Sequence, residues 1–378
     1  MYRRACMLVL LIFCSHRLLG QDLSDLQIHG YANQGFVISS NNNFLSMSTS
    51  KGSFQWTEGA ISVTDPINDK LRVGIQLHMY QIGQLGGPDV EVDWALGDYK
   101  VNDWFGLRAG KIKIPMGLFN KVQDVDSLYP WALLPQGIYP IENREMNLAA
   151  LGGEVYGNLS LGKHHGNLLY DAFLGEGYLA MNSGYGRQLQ EYGLNFPTDP
   201  SGRNFGGDLR WMSPKGELTL GASAQSQALD GQDASGSLHM PPALMFAYYA
   251  QWTHGKLELD AEYWRTPLYP VLTVNGVTVP VPIDGRAWYP MVDYRLAKGL
   301  TVGTYYSHWV NKSEDTSQPA NYSKDWVLSS RYDFNQYFYA KLEGHFLHGI
   351  AVGYDAQTNP NGLKDNASIL AARIGFAF

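Results

Sequence analysis

The sequence predicts an all-β fold: a transmembrane antiparallel β-barrel of about 16 strands. Three observations predict it. Apolar residues recur at every second position in segment after segment, as strands with one dry and one wet face require. Beyond the N-terminal segment no run approaches the ~18 consecutive apolar residues of a membrane helix. The connections between the alternating segments are short and long in turn, the pattern of a barrel with tight turns at one rim and long loops at the other.

The N-terminal stretch MYRRACMLVLLIFCSHRLLGQ carries Arg3 and Arg4, an apolar core from Met7 to Phe13 and a small residue, Gly20. That layout predicts a secretory signal peptide over 1–20, with the barrel over 21–378. A lipid anchor at Cys14 would need a small residue before it, and Phe13 stands there. Cys6 and Cys14, the two cysteines, both fall in the signal, so a processed chain has no disulfide framework, zinc cluster or thiol nucleophile. Three of the 28 basic residues also lie in it, which leaves 25 against 35 acidic residues, or −10. This balance excludes nucleic acid as a natural partner. The mean hydropathy of −0.23 is that of a soluble protein, so the membrane signal lies in the pattern.

Strands are predicted near 26–38, 53–65, 70–81, 89–99, 103–114, 147–161, 166–176, 204–213, 216–227, 243–254, 256–266, 285–296, 299–310, 323–334, 336–349 and 367–378. In the third, Leu71, Val73, Ile75, Leu77 and Met79 oppose Arg72, Gly74, Gln76 and His78. In the fourth, Val90, Val92, Trp94 and Leu96 oppose Glu91 and Asp93. In the eleventh, Leu257, Leu259, Ala261 and Tyr263 oppose Glu258, Asp260 and Glu262, and in the fifteenth Phe338, Ala340, Leu342 and Phe346 oppose Tyr339, Lys341, Glu343 and His345. Aromatic pairs such as Trp104-Phe105 and Tyr263-Trp264 sit near segment ends, where the two interfacial girdles of a membrane barrel lie. A sheet of this size in lipid must close, because an open edge would leave backbone groups unpaired.

The last strand ends on Phe378, with Phe376, Ile374 and Leu370 on its lipid face. A terminal aromatic on an alternating strand resembles the signal by which the outer-membrane assembly machinery recognises bacterial barrels. The stretch WFGLRAGKIKIPMGLFNKVQDVDSLYPWALLPQGIYP, Trp104 to Pro140, resembles the phosphate-selective porin O and P family in its Arg-Gly-Lys strand followed by an IP-GL turn and a long apolar-acidic loop. That resemblance implies sixteen strands, a homotrimer, and a loop after strand five folded into the lumen as a constriction; here it is 115–146. Anion-selective members line the lumen with a ladder of arginines and lysines. In this chain the inward cations Arg72, Arg108, Arg210, Arg295, Arg331, Lys341 and Arg373 are outnumbered by Glu91, Asp93, Asp171, Asp208, Glu258, Asp260, Glu262, Asp293, Asp333 and Glu343. Charge rings set pore selectivity, so phosphate specificity is not implied.

Three clusters are candidate sites. Arg108, Lys111 and Lys113 are expected to face Asp124, Asp126, Glu142 and Glu145 of the infolded loop across an eyelet, or else to anchor that loop by ion pairs. Both Arg108 and Lys111 point inward only if a bulge lies near Gly110. Tyr129, Trp131 and Tyr139 offer a stacking surface for sugars, with packing of the loop against the inner wall the favoured reading. Glu258, Asp260 and Glu262 form a carboxylate row that collects cations or is simply a solvated lumen face. No HExxH, GxSxG or phosphate-cradling Gly-rich loop occurs, and His345 and His348 have no nominated nucleophile. No catalytic residue, metal site or cofactor is therefore expected. The function read from the sequence is a passive outer-membrane diffusion channel for small polar solutes and ions. A substrate-specific channel for phosphate, other anions or sugars, and a non-channel barrel in adhesion or outer-membrane enzymatic work, remain the alternatives.

Overall fold

The computed structural model describes residues 25–87 and 89–378; the predicted signal peptide and its cleavage point lie outside the described residues. One antiparallel sheet of nineteen strands closes on itself. Three strands are short pieces at one rim, Leu85–Gly86, Val271–Val274 and Val277–Pro280. The other sixteen form the barrel: β1 (Gln27–Ser39), β2 (Ser53–Pro66), β3 (Leu71–Ile82), β4 (Glu91–Asn102), β5 (Phe105–Lys113), β6 (Ala149–Ser160), β7 (Asn167–Tyr178), β8 (Ser201–Met212), β9 (Leu218–Asp233), β10 (Gly236–His254), β11 (Leu257–Leu268), β12 (Ile283–Ala297), β13 (Leu300–Asn311), β14 (Tyr322–Asp333), β15 (Phe338–His348) and β16 (Asn366–Ala377). Each pairs with its neighbours in sequence, and β16 closes on β1 from Tyr31↔Ala377 to Ser39↔Ile369. Phe378 extends the seam, exchanging backbone hydrogen bonds of 3.0 and 3.1 Å with Gly30. Gln27, where the first strand begins, and Phe378 thus lie at the short-turn rim.

Alternation becomes burial. In β15, Tyr339, Lys341, Glu343 and His345 are buried inside, while Phe338, Leu342 and Phe346 stand bare outside. The same holds in β16 for Ala371 and Arg373 against Leu370 and Ile374. Such a bare apolar surface belongs in hydrocarbon. Aromatic rows edge it. Trp288, Tyr306 and Trp326 run across β12–β14 with centroids 5.4 and 5.7 Å apart, and Phe338, Phe376 and Phe378 cluster at the short-turn rim.

Two expectations fail, each for a local reason. In β4 the ladder shifts where Gln76 and Leu77 pair with Trp94 and Val92, leaving Asp93 as the extra residue of a bulge. Asp93 is buried inside, and Trp94 and Leu96, expected to face lipid, share the inward parity of Asp98 beyond it. The segment 228–242, expected as a long loop, is strand: β9 and β10 rise past the rim to a tight turn at Ala234–Ser235. Its Gly, Ser and Pro content disguised it. Pro241 and Pro242 sit where the register shifts between Gln227 and Leu229, the place where a strand tolerates a missing N–H. Above the rim this hairpin packs Leu229, Leu238 and Met240 against Leu189, Leu194 and Phe196 of the loop carrying a short helix, Gly184–Glu191.

Candidate functional site

The longest connection, 114–148, follows β5, and its side chains belong to the core inside the barrel. Ile114, Met116, Phe119, Trp131 and Tyr139 join Phe173 of β7, Met245 and Tyr249 of β10, Tyr289 of β12 and Tyr305 of β13 in one buried cluster. Ala132 and Leu133 join a second cluster with Trp56, Tyr80, Leu347 and Ile369. The base of the segment is closed by Ile114 N donating to Leu148 O at 2.9 Å, and by Asn120 Nδ2 donating to the carbonyls of Ile114 and Asn147 at 2.9 and 2.8 Å. Gly117 makes the first bend with φ +72°, a conformation L side chains rarely adopt. A Cβ there would stand 2.2 Å from Glu262 Oε1.

A buried segment must place its polar backbone, and the inner wall supplies the partners. On β11, Glu262 accepts from Leu118 N at 3.0 Å, Tyr139 Oη at 2.6 Å, Trp264 Nε1 at 2.7 Å and Tyr289 Oη at 2.9 Å. On β15, Glu343 accepts from Ala132 N and Leu133 N, both at 2.9 Å. Lys341, wholly buried, donates to the Asp126 carbonyl at 2.6 Å, its carboxylate at 2.9 Å and the Trp131 carbonyl at 2.8 Å. Arg373 of β16 also reaches Asp126 at 2.9 Å and binds Asn33 and Glu58 on the adjoining strands. Arg331 of β14 donates to the carbonyls of Ser127 and Tyr129 at 2.6 and 3.0 Å. Burial pushes the Asp126 carboxyl up, but the adjacent Arg373 and Lys341 outweigh it and hold the group below the usual carboxylate range.

The opposite wall holds the other flank. Lys113 pairs with Asp124 at 2.6 Å, and Gln76 of β3 donates to the same carboxylate at 2.8 Å. Lys121 reaches Glu154 at 3.0 Å and Asp171 at 2.7 Å on β6 and β7. Arg144 grips the bulged Asp93 at 2.5 and 2.8 Å. Tyr80 donates to Glu145 at 2.7 Å, and Ser46 of the β1–β2 loop donates to Glu142 at 2.5 Å. Burial pushes Glu142 up to about 7, against the lowering effect of the Ser46 hydrogen bond.

The expected eyelet geometry, three cations across from four carboxylates, is not what the chain forms. Only Lys113 meets one of those carboxylates. Arg108 pairs with Asp98 at 3.2 Å and Glu154 at 2.8 Å on flanking strands. Lys111 and Lys113 share a parity opposite to that of Arg108, yet Arg108 and Lys113 both pair with buried carboxylates, so the facing alternation breaks between 108 and 113 although the ladders run through Gly110 in continuous register. Lys111 Nζ reaches the Val92 carbonyl at 2.6 Å and Tyr178 Oη at 3.0 Å. Gly110 takes φ +131°, and a Cβ there would meet the Ala95 carbonyl oxygen at 2.2 Å, so a side chain does not fit at this position. Asp126, Glu142 and Glu145 each find different partners, as above. Tyr129, Trp131 and Tyr139 are all buried, Trp131 edge-on to Tyr305 at 5.1 Å and Tyr139 edge-on to Trp264 at 5.9 Å. Glu258 and Asp260 face inward beside Asp293, while Glu262 is taken out of that row by the segment. Arg72 is half-exposed and paired with Asp98 at 2.8 Å. Glu58 and Asn33, which complete the Arg373 cluster, escaped the sequence reading, although the inward parity shared by Trp56 and Glu58 marked the first of them.

No protein-family model matches the chain, and no curated protein matches it. Solved structures do. OmpF of Salmonella typhi, in complex with daunomycin, is 15% identical, with a TM-score of 0.59 over 93% of this chain and 97% of that one. OmpT of Vibrio cholerae, an outer-membrane protein, is 13% identical, with a TM-score of 0.58 over 95% and 99%. The outer membrane channel DcaP of Acinetobacter baumannii is 12% identical, with a TM-score of 0.51 over 93% and 97%. At these identities the likeness concerns the fold: the chain has the closed sixteen-strand barrel that it shares with these outer-membrane proteins.

Proposed function

We propose that the chain is an outer-membrane channel whose water-filled lumen is narrowed by the segment 114–148 and passes small polar solutes and ions. The observation that carries this reading is the segment itself, bonded to opposite walls of a sixteen-strand barrel. Barrels of this size otherwise enclose an aqueous channel. Below the segment the inner wall is charged and partly open to water, with Arg72, Arg108, Asp171, Arg210 and Asp333 on it. Single-channel recording in planar bilayers under a salt gradient tests the proposal. Stable open steps with a modest cation preference are expected, and deletion of Phe119–Gly137 raises the step size. Absence of steps from folded protein, or unchanged conductance in the deletion, refutes it.

Sugars or anions that block the current at submillimolar concentration would identify a substrate-specific channel. One of the similar solved structures is a trimer form of Vibrio cholerae OmpT, and a homotrimer is the assembly proposed for this chain. The buried His345 has its Nδ1 held by Asp325 at 2.8 Å and its Nε2 3.3 Å from Glu343, and an enzymatic role is disfavoured there because, among the described residues, no nucleophile stands beside it. In this reading His345 orients the carboxylate that holds Ala132 and Leu133.

A further inference from the structure

On the outer surface at the long-loop rim, β13, β14 and the loop joining them enclose a cavity of about 320 Å³. It is lined by His308, Lys312, Tyr322 and Lys324, with Thr316 and Ser317 of the loop. Strand parity fixes which side it faces. Tyr305 and Val327 are buried in the lumen cluster. The ladder partners His308 and Lys324 therefore point outward, with Trp326 and Leu328 exposed on the same face of β14. Lys324 Nζ lies 5.0 Å from the centroid of the Tyr322 ring, and that ring is fixed by a 2.8 Å hydrogen bond between its hydroxyl and His348 Nε2.

Two features set this cavity apart from ordinary surface. First, among the described residues no carboxylate is ion-paired with Lys312 or Lys324. The loop's own Asp315 carboxylate is occupied by Ser317, accepting from its N at 3.0 Å and its Oγ at 2.8 Å. Second, the cavity sits directly beyond the aromatic row Trp288–Tyr306–Trp326, and the Trp288 ring touches that of His308 at 6.1 Å. Aromatic belts lie at headgroup level. A concave site with two unpaired ammonium groups at that level, next to hydroxyl donors, matches a phosphate monoester. Lysine binds such a group as a point charge, and the low-dielectric interface strengthens the attraction.

We propose that this cavity binds a phosphate group carried by a lipid headgroup, that of a phosphorylated glycolipid in the leaflet around the long-loop rim. The proposal rests on the outer-membrane placement and not on the channel reading, so conductance is a separate readout. Native mass spectrometry of the folded protein in non-ionic detergent, titrated with diphosphorylated lipid A, tests it. One lipid retained per chain is expected. Apparent affinity should fall at least 10-fold in Lys312→Gln/Lys324→Gln and remain unchanged in Lys256→Gln/Lys298→Gln, whose lysines lie in turns at the opposite rim. Lys312→Gln alone, in the exposed loop, serves where the double variant fails to fold, and a several-fold loss is expected from it. Dephosphorylated lipid A should be retained no better by the parent chain than by the double variant. Equal retention of lipid A by all variants, or equal retention of the dephosphorylated lipid, overturns the proposal. Inorganic phosphate binding at the same lysines as tightly as the lipid would assign the cavity to a free anion and overturn the headgroup source.

Discussion

Lys341→Met isolates the anchor between the segment and the wall. Methionine keeps the length and apolar stem of lysine but removes three donors, to Asp126 Oδ1, Asp126 O and Trp131 O. Asp126 keeps Arg373 and Tyr339, so its charge is not orphaned, but two buried carbonyls lose their donor. Leaving a buried acceptor without its donor costs about 1–3 kcal/mol, or about 4 kcal/mol for the two carbonyls at mid-range. The cost falls on the docked state of the segment and not on the ladder, whose hydrogen bonds are backbone. Local opening of the segment should therefore become roughly 10²- to 10³-fold more frequent. Hydrogen exchange at Ala132 and Leu133, whose amides are held by Glu343 beside Lys341, reads this directly. Amides in the β7–β8 ladder, on the far wall, should exchange as in the parent. Exchange at Ala132 and Leu133 within about 3-fold of the parent, an effect well below the ~1.4 kcal/mol that a tenfold change represents, would refute the anchoring argument. So would equal acceleration everywhere, since that reports global loosening.

Three further outcomes follow from individual residues. Gly117→Ala places a Cβ 2.2 Å from Glu262 Oε1 at φ +72°, and should lower the opening energy of the segment by about 1–3 kcal/mol, read by exchange at Leu118. Glu142, with its carboxyl raised to about 7, binds its proton more tightly folded than unfolded, so its contribution is complete below about 4.5. It declines as pH rises from there to about 7, and Glu142→Gln should flatten the pH dependence of exchange around Ser46 and Glu142 across that window. Phe378→Ala removes the terminal ring packed over Gly30 and against Phe376, and the fraction of chain reaching the membrane in folded, heat-modifiable form should drop; an unchanged folded fraction refutes the assembly-signal reading.

The barrel was legible because its rule is simple and repeated. In β3, β11 and β15, one buried polar residue at every second position is enough to set the register, since a one-residue slip would turn Lys341 and Glu343 to lipid and Leu342 to the lumen. The rule failed where the backbone departs from period two. Asp93 occupies a bulge, which carries no compositional mark, and β9–β10 continue through Gly, Ser and Pro because they rise above the bilayer, where nothing requires an apolar face. The site was legible only by halves. Parity marked Lys341, Arg373, Glu262 and Glu343 as inward, but their partners Asp126, Leu118, Ala132 and Leu133 come from an irregular segment with no periodicity to read. Lys111 shows that a cation near the segment need not meet a segment carboxylate: its ammonium ends on the Val92 carbonyl and Tyr178 Oη.

The acidic excess of the predicted lumen changes meaning once these partners are assigned. Asp93 is neutralised by Arg144, Asp126 by Lys341 and Arg373, and Glu58 by Arg373. Glu262 and Glu343 spend their lone pairs on segment amides, tyrosines and an indole. These carboxylates hold the segment and are shielded from a passing ion. Elsewhere on the inner wall many charges are directly paired: Arg72 and Arg108 with Asp98, Arg210 with Asp208, and Arg331 with Asp333. Paired charges in a wet vestibule are screened beyond ~10 Å at moderate salt. The reversal potential under a salt gradient should therefore favour cations only weakly, and less so as salt rises. A strong cation preference would mean that the buried carboxylates line the path and that the segment stands away from the wall in the conducting state.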